Sequence, residues 1–136
     1  MVKFYRTRNE IVQFKYLIKT TPFGSLSDER IKRLTGKTTS ELLLEKANVG
    51  SLCLHINKEF FIVIEPTNYI HIGTINNVSL RTLIKAKNVF KEILKYRVFV
   101  FSKVLSIDES PLRVFKPKIV YTSENYSIIK CSYEDL

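Results

Sequence analysis

The chain has 136 residues, 45% of them apolar, with 7 Tyr, 9 Phe and only four each of Gly and Pro. That composition suits one domain (1–136) with a real core and excludes a disordered or low-complexity chain. Lys and Arg outnumber Asp and Glu by 22 to 13, a net charge of +9, which favours acidic partners: nucleic acid, an anionic ligand or an acidic protein.

Val2–Arg6 reads as a first strand. In the next stretch Thr7 and Glu10 have capping-box spacing, and Ile11, Phe14, Leu17 and Ile18 fall on one stripe, which predicts a helix. After the break at 21–26, residues 27–36 predict a compact helix with Ser27 as N-cap and Gly36 as its stop. Thr38 and Glu41 repeat the capping spacing ahead of a further helical stretch. The texture then changes. Residues 50–56 and 59–65 flank Asn57-Lys58 as a hairpin, and 69–75 forms a third antiparallel candidate. Apolar character on both faces predicts a sheet covered on both sides. Residues 79–96 form the clearest helix, with Leu83, Ala86, Phe90, Ile93 and Leu94 on the buried arc and Arg81, Lys85, Lys91 and Lys95 opposite. Residues 97–105 read as a strand and 108–117 as one short helix with Pro111 in its first turn. Two strands, 118–122 and 126–133, close the chain as a hairpin. The order β-α-α-β-β-β-α-β-α-β-β defines a mixed α/β or α+β fold.

Cys53 and Cys131 make no disulfide framework, and a reducing cytoplasm is the simpler setting. The N-terminus lacks the apolar core of a signal peptide. The longest apolar run, Phe60–Ile64, is far short of a membrane span.

The element order resembles the GNAT superfamily, the acetyl-CoA-dependent N-acetyltransferases, along essentially the whole chain. The resemblance implies a three-layer α/β/α sandwich. It also implies a glycine-rich loop between the fourth strand and the next helix that holds the coenzyme A pyrophosphate. Here Asn77, Val78, Ser79, Leu80, Arg81 and Thr82 occupy that loop. Ile75 stands where the family has Arg or Gln, and Val78 and Leu80 stand where it has glycines. Their side chains obstruct the approach of phosphates to bare backbone, so only a vestigial anion site at the helix N-terminus is expected. The Tyr that serves the family as general acid aligns with Phe115, which has no hydroxyl. For a base, the third central strand offers His71 and the strand before it Glu59 and Glu65; of these Glu65 and His71 are the candidates, with backbone amides at 73–75 the candidates for oxyanion donors. Such a degraded site on an intact order is similar to the acetyltransferase-like virion-associated proteins of short-tailed phages.

These residues imply a non-catalytic virion or assembly protein with a protein partner, needing no cofactor. The alternatives are an active N-acetyltransferase using acetyl-CoA and a small nucleic-acid-binding protein. The last rests on the stripe of Arg81, Lys85, Lys91 and Lys95, with affinity that falls steeply with salt. Cys53, His55 and His71 do not have the spacing of a metal site. The exposed edges of the sheet and the C-terminal hairpin are the expected docking elements.

Overall fold

A computed structural model describes all 136 residues as an α+β fold with four α-helices and two antiparallel sheets. The strands are β1 (Val2–Tyr5), β2 (Leu52–Ile56), β3 (Phe60–Ile64), β4 (Ile70–Thr74), β5 (Phe99–Val104), β6 (Lys118–Thr122) and β7 (Ser127–Ser132). The helices are α1 (Arg8–Thr20), α2 (Ser25–Thr35), α3 (Thr39–Lys46) and α4 (Leu80–Arg97). No helix is long and apolar enough to cross a membrane.

Both capping boxes read from the sequence form. Thr7 accepts from the Glu10 amide while Glu10 accepts from the Thr7 amide, and Thr38 and Glu41 do the same at α3. Each satisfies two of the orphan donors of a helix start. The Asn57-Lys58 turn also forms. Both residues take positive φ, 54° and 55°, as a turn matching strand twist requires.

Alternation along β2 and β3 divides the core into two layers. Leu54, Ile56, Phe60, Ile62 and Ile64 face α4, with Ala86, Phe90, Ile93 and Leu94 packed on them. Cys53, Phe61 and Val63 face the other way, onto Tyr5, Phe14 and Ile18 of the α1 side and Leu43 of α3. The first sheet is therefore covered on both faces, and its strands read as continuous apolar runs for that reason.

The first sheet runs β1-β2-β3-β4 and the second β5-β7-β6. They touch where Tyr69 bridges Phe101 in parallel, with the Phe101 amide donating to the Asn68 carbonyl at 2.8 Å. β4 and β5 thus start side by side and part beyond that bridge. The gap between them is the cleft around which the rest of the molecule is arranged.

Three expectations are corrected, and the strand order of the second sheet is new. The α2 cap is Gly24, and Ser27 is instead buried in the helix, 3.0 Å from the Thr39 hydroxyl. Residues 108–117 form no α-helix but two 3-10 turns, Ile107–Glu109 and Arg113–Phe115. Between them Ser110 is extended, the conformation a residue before proline prefers. Leu83 is 46% exposed, and Thr82 takes the buried place on that arc. β7 is not an edge; it lies between β5 and β6, which leaves β6 outermost with all five residues exposed.

One position stores strain. Val98, which ends α4, has φ 70° and ψ −44°, a region that costs a β-branched residue about 1–2 kcal/mol. Its side chain is 58% exposed, so little packing is lost on removing it. Val98→Gly is expected to stabilise the fold by about 1 kcal/mol after the entropy of glycine is subtracted. Thermal unfolding checks this: a lower Tm in the variant contradicts the strain.

Candidate functional site

The loop from β4 to α4 is tied to the protein on two flanks while its outer residues face solvent. Ser79 caps α4, its hydroxyl accepting from the Thr82 amide at 3.2 Å. The Ser79 amide donates to Glu59 Oε1 at 2.8 Å. Thr82 is fully buried, and its hydroxyl oxygen accepts from the Asn57 side-chain amide at 2.8 Å. From the other flank the Gly24 amide donates to the Thr74 carbonyl at 2.8 Å, and the Ser25 amide to the Asn76 side chain at 3.3 Å.

Glu59 decides what this loop can hold. A helix N-terminus attracts an anion through its free amides and its dipole. Here the chain's own carboxylate lies at that position. Hydrogen bonding from the Ser79 amide holds the Glu59 carboxyl below the usual range, with the Ser79 and Thr82 hydroxyls and the N-terminal ammonium adding to it. A pyrophosphate arriving there meets a like charge, and it meets Val78 where backbone would need to be bare. Of the loop residues singled out in the sequence, Thr82 is turned inward, while Asn77, Ser79, Leu80 and Arg81 are exposed. The expected oxyanion donors are reduced as well, since the Ile75 amide is bonded to the Glu59 carbonyl at 3.0 Å.

Glu59 was legible in part. The register pairs Phe60 with Thr74, so the residue before Phe60 must sit beside the residue after Thr74, at the mouth of α4.

The two candidate bases come together. His71 Nε2 lies 2.7 Å from Glu65 Oε2, and Lys46 Nζ is 3.6 Å from the other carboxylate oxygen. Arg97 anchors the turn below by donating to the Glu65 carbonyl at 3.1 Å and to Asn68 Oδ1 at 2.9 Å. Burial pushes the His71 pKa down, outweighing the opposing pull of Glu65. The ring is therefore neutral near neutral pH. With Nε2–H donated to Glu65, Nδ1 carries the lone pair. His71 lines the cleft between β4 and β5, a cavity of about 130 Å³ roofed by α2.

Phe115 is 5% exposed and packs on Phe90 with ring centroids 4.5 Å apart. It serves the core and donates no proton. Both thiols are buried, and burial pushes Cys53 up to about 11 and Cys131 to about 12. Neither is a nucleophile at neutral pH. His55 binds Tyr5 at 3.0 Å rather than joining His71, and no three His, Cys, Asp or Glu side chains are grouped to hold a metal.

Arg81, Lys85, Lys91 and Lys95 are all exposed on α4, and of these only Lys95 is paired, with Glu92 at 3.3 Å. Compared with known protein families, curated proteins and solved structures, the chain finds no match.

Proposed function

We propose that this is a GNAT-like protein without cofactor-dependent catalysis that works as an interaction or assembly component, the role of the virion-associated phage proteins it resembles. The observation that carries the reading is Glu59, whose carboxylate accepts from the amide of the N-cap Ser79 and so sets a like charge beside the helix N-terminus at which the cofactor's pyrophosphate would bind. Support for the architecture comes from β4 and β5, which meet in parallel at Tyr69 and Phe101 and then diverge. Support for docking comes from β6, an outermost strand whose Ile119, Val120 and Tyr121 are each at least half exposed. Such an edge pairs readily with another chain.

Acetyl-CoA tests the reading. A ligand that binds only the native state raises stability, by about 2.7 kcal/mol at a hundredfold excess over Kd. The expected result is an unchanged Tm at millimolar acetyl-CoA. A rise of several degrees overturns the proposal.

A second reading is favoured by the contact between Glu65 and His71. In an active N-acetyltransferase, His71 Nδ1 would take the proton of a substrate amine as the nitrogen attacks the thioester carbon and the thiolate departs. Acetyl-CoA-dependent release of free thiol in the presence of amines, lost in His71→Gln, would favour this reading over the first.

A further inference from the structure

We propose that the groove between α4 and the Arg113–Phe115 turn binds one amphipathic carboxylate, a medium- to long-chain fatty acid. Its chain would lie on an apolar floor and its headgroup among Arg30, Lys87 and Arg113. This goes beyond the docking reading and does not depend on it.

The groove encloses about 480 Å³, within the range of small-molecule sites. Phe60, Ile62 and Ile72 form its floor. Leu83 and Ile84 of α4 face Val114 across it, and these three are 46%, 56% and 57% exposed. Leu83 has the helical spacing of a core residue, yet no side chain of this protein covers it. An apolar floor with a few convergent polar groups at its rim is the usual make-up of a small-molecule site.

The rim fixes the ligand's charge. Arg30, Lys87 and Arg113 line the groove, no acidic side chain does, and none of the three is in an ion pair. Arg30 donates to the Glu109 carbonyl and Arg113 to the Ser110 carbonyl. Those bonds hold the guanidinium stems in place and leave further N–H donors for a carboxylate. A single charge on an apolar chain satisfies both the rim and the floor.

The test titrates the intact protein with dodecanoate below its micellar threshold, followed by calorimetry and by methyl NMR shifts. Dodecanol serves as the uncharged match and acetate as the chainless one. The expected result is saturable one-to-one binding of dodecanoate, with shifts at Ile72 and Ile84. Dodecanol should bind at least about tenfold more weakly, as loss of charge-assisted hydrogen bonds implies, and acetate should not bind. Lys87→Glu and Arg113→Glu, both at exposed positions, should each weaken dodecanoate about tenfold, while Lys85→Glu, exposed on the side of α4 turned away from the groove, leaves it unchanged. Absent or non-saturable binding overturns the proposal. So does equal binding of dodecanol, indifference to both reversals, shifts confined to another surface, or an acidic apolar peptide binding where dodecanoate does not. If either variant unfolds, the wild-type shifts and the dodecanol comparison decide alone.

Discussion

Acidifying from about pH 7 to about pH 5 is expected to remove about 2 kcal/mol of stability through His55 alone, and about 3 kcal/mol by pH 4. The ring is 1% exposed, between Tyr5 and Phe61. The Lys58 amide donates to Nδ1 at 3.1 Å, so Nδ1 is unprotonated and Nε2–H donates to the Tyr5 hydroxyl at 3.0 Å. Both ring nitrogens are committed in the neutral form. Burial first, then the charges of Lys58, Lys3 and the N-terminus, lower the pKa from 6.5 to about 4. A histidine with a depressed native pKa contributes no pH dependence above the unfolded value. Below it the unfolded chain takes up a proton that the native state refuses, so stability falls as pH drops from 6.5 toward 4. His71, also lowered, adds to the same trend. The depressed carboxyls of Glu10, Glu41, Glu45 and Glu59 lose their contribution as pH falls through the usual carboxylate range and below it, so the interval from about pH 6.5 to about pH 5 belongs to the histidines. Urea midpoints measured from pH 7.5 to 4.5 check this, with His55→Gln as the control whose slope flattens. A midpoint constant across that window in the wild type would contradict a buried neutral His55.

The local signals in the sequence carried far. Thr7 with Glu10, Thr38 with Glu41, and Asn57 with Lys58 each specify a cap or a turn by chemistry confined to a few residues, and each forms as its spacing requires. The apolar runs of β2 and β3 foretold a sheet covered twice. What escaped depends on contacts between distant segments. Ser27 has the identity of an N-cap, but its hydroxyl is used by Thr39, 12 residues on. Leu83 has core spacing, but nothing in its helix shows that the opposite wall stops short of it. Glu65 and His71 were each visible as ionisable residues near the central strands. Their contact follows from the β3–β4 turn, where the Glu65 amide donates to the Tyr69 carbonyl at 2.9 Å and the Asn68 amide to the Glu65 carbonyl at 2.8 Å. Glu59 was visible as a second acid on the strand before His71, but its place beside the start of α4 was missed, because the departure of Val78 and Leu80 from glycine drew attention to the loop and away from the strand opposite. Side chains at the loop weaken an anion site. A carboxylate across from it fills that site.

Gly73→Ala is expected to destabilise the protein by about 3 kcal/mol, at the upper end for overpacking of a buried position. A Cβ at Gly73 would lie 2.5 Å from Thr39 Cγ2, 2.8 Å from Leu43 Cδ1 and 3.1 Å from Phe23 Cε1. The reason is space and not backbone freedom, since Gly36 alone among the glycines has positive φ. Gly73 pairs with Phe61 across β3 and β4. Phe23 stands edge-on to Phe61 at 5.2 Å, so the missing side chain is what lets α3 and the α1–α2 connection settle on this strand. The two nearest neighbours cannot yield cheaply. Leu43 is fully buried, and Thr39 is held by the Ser27 hydroxyl at 3.0 Å and by Asp28, which accepts from its amide at 2.9 Å. Thr39→Ser removes the clashing methyl while keeping the hydroxyl. The double variant Gly73→Ala/Thr39→Ser should therefore be more stable than the sum of the single changes implies, by about 1 kcal/mol of coupling. Urea unfolding of the four proteins in this cycle measures it. Strict additivity would show that β4 and α3 do not meet at this point. A shift at this contact also reaches the cleft, because α3 holds α2 through Thr39 and Ser27, and α2 roofs the cavity beside His71.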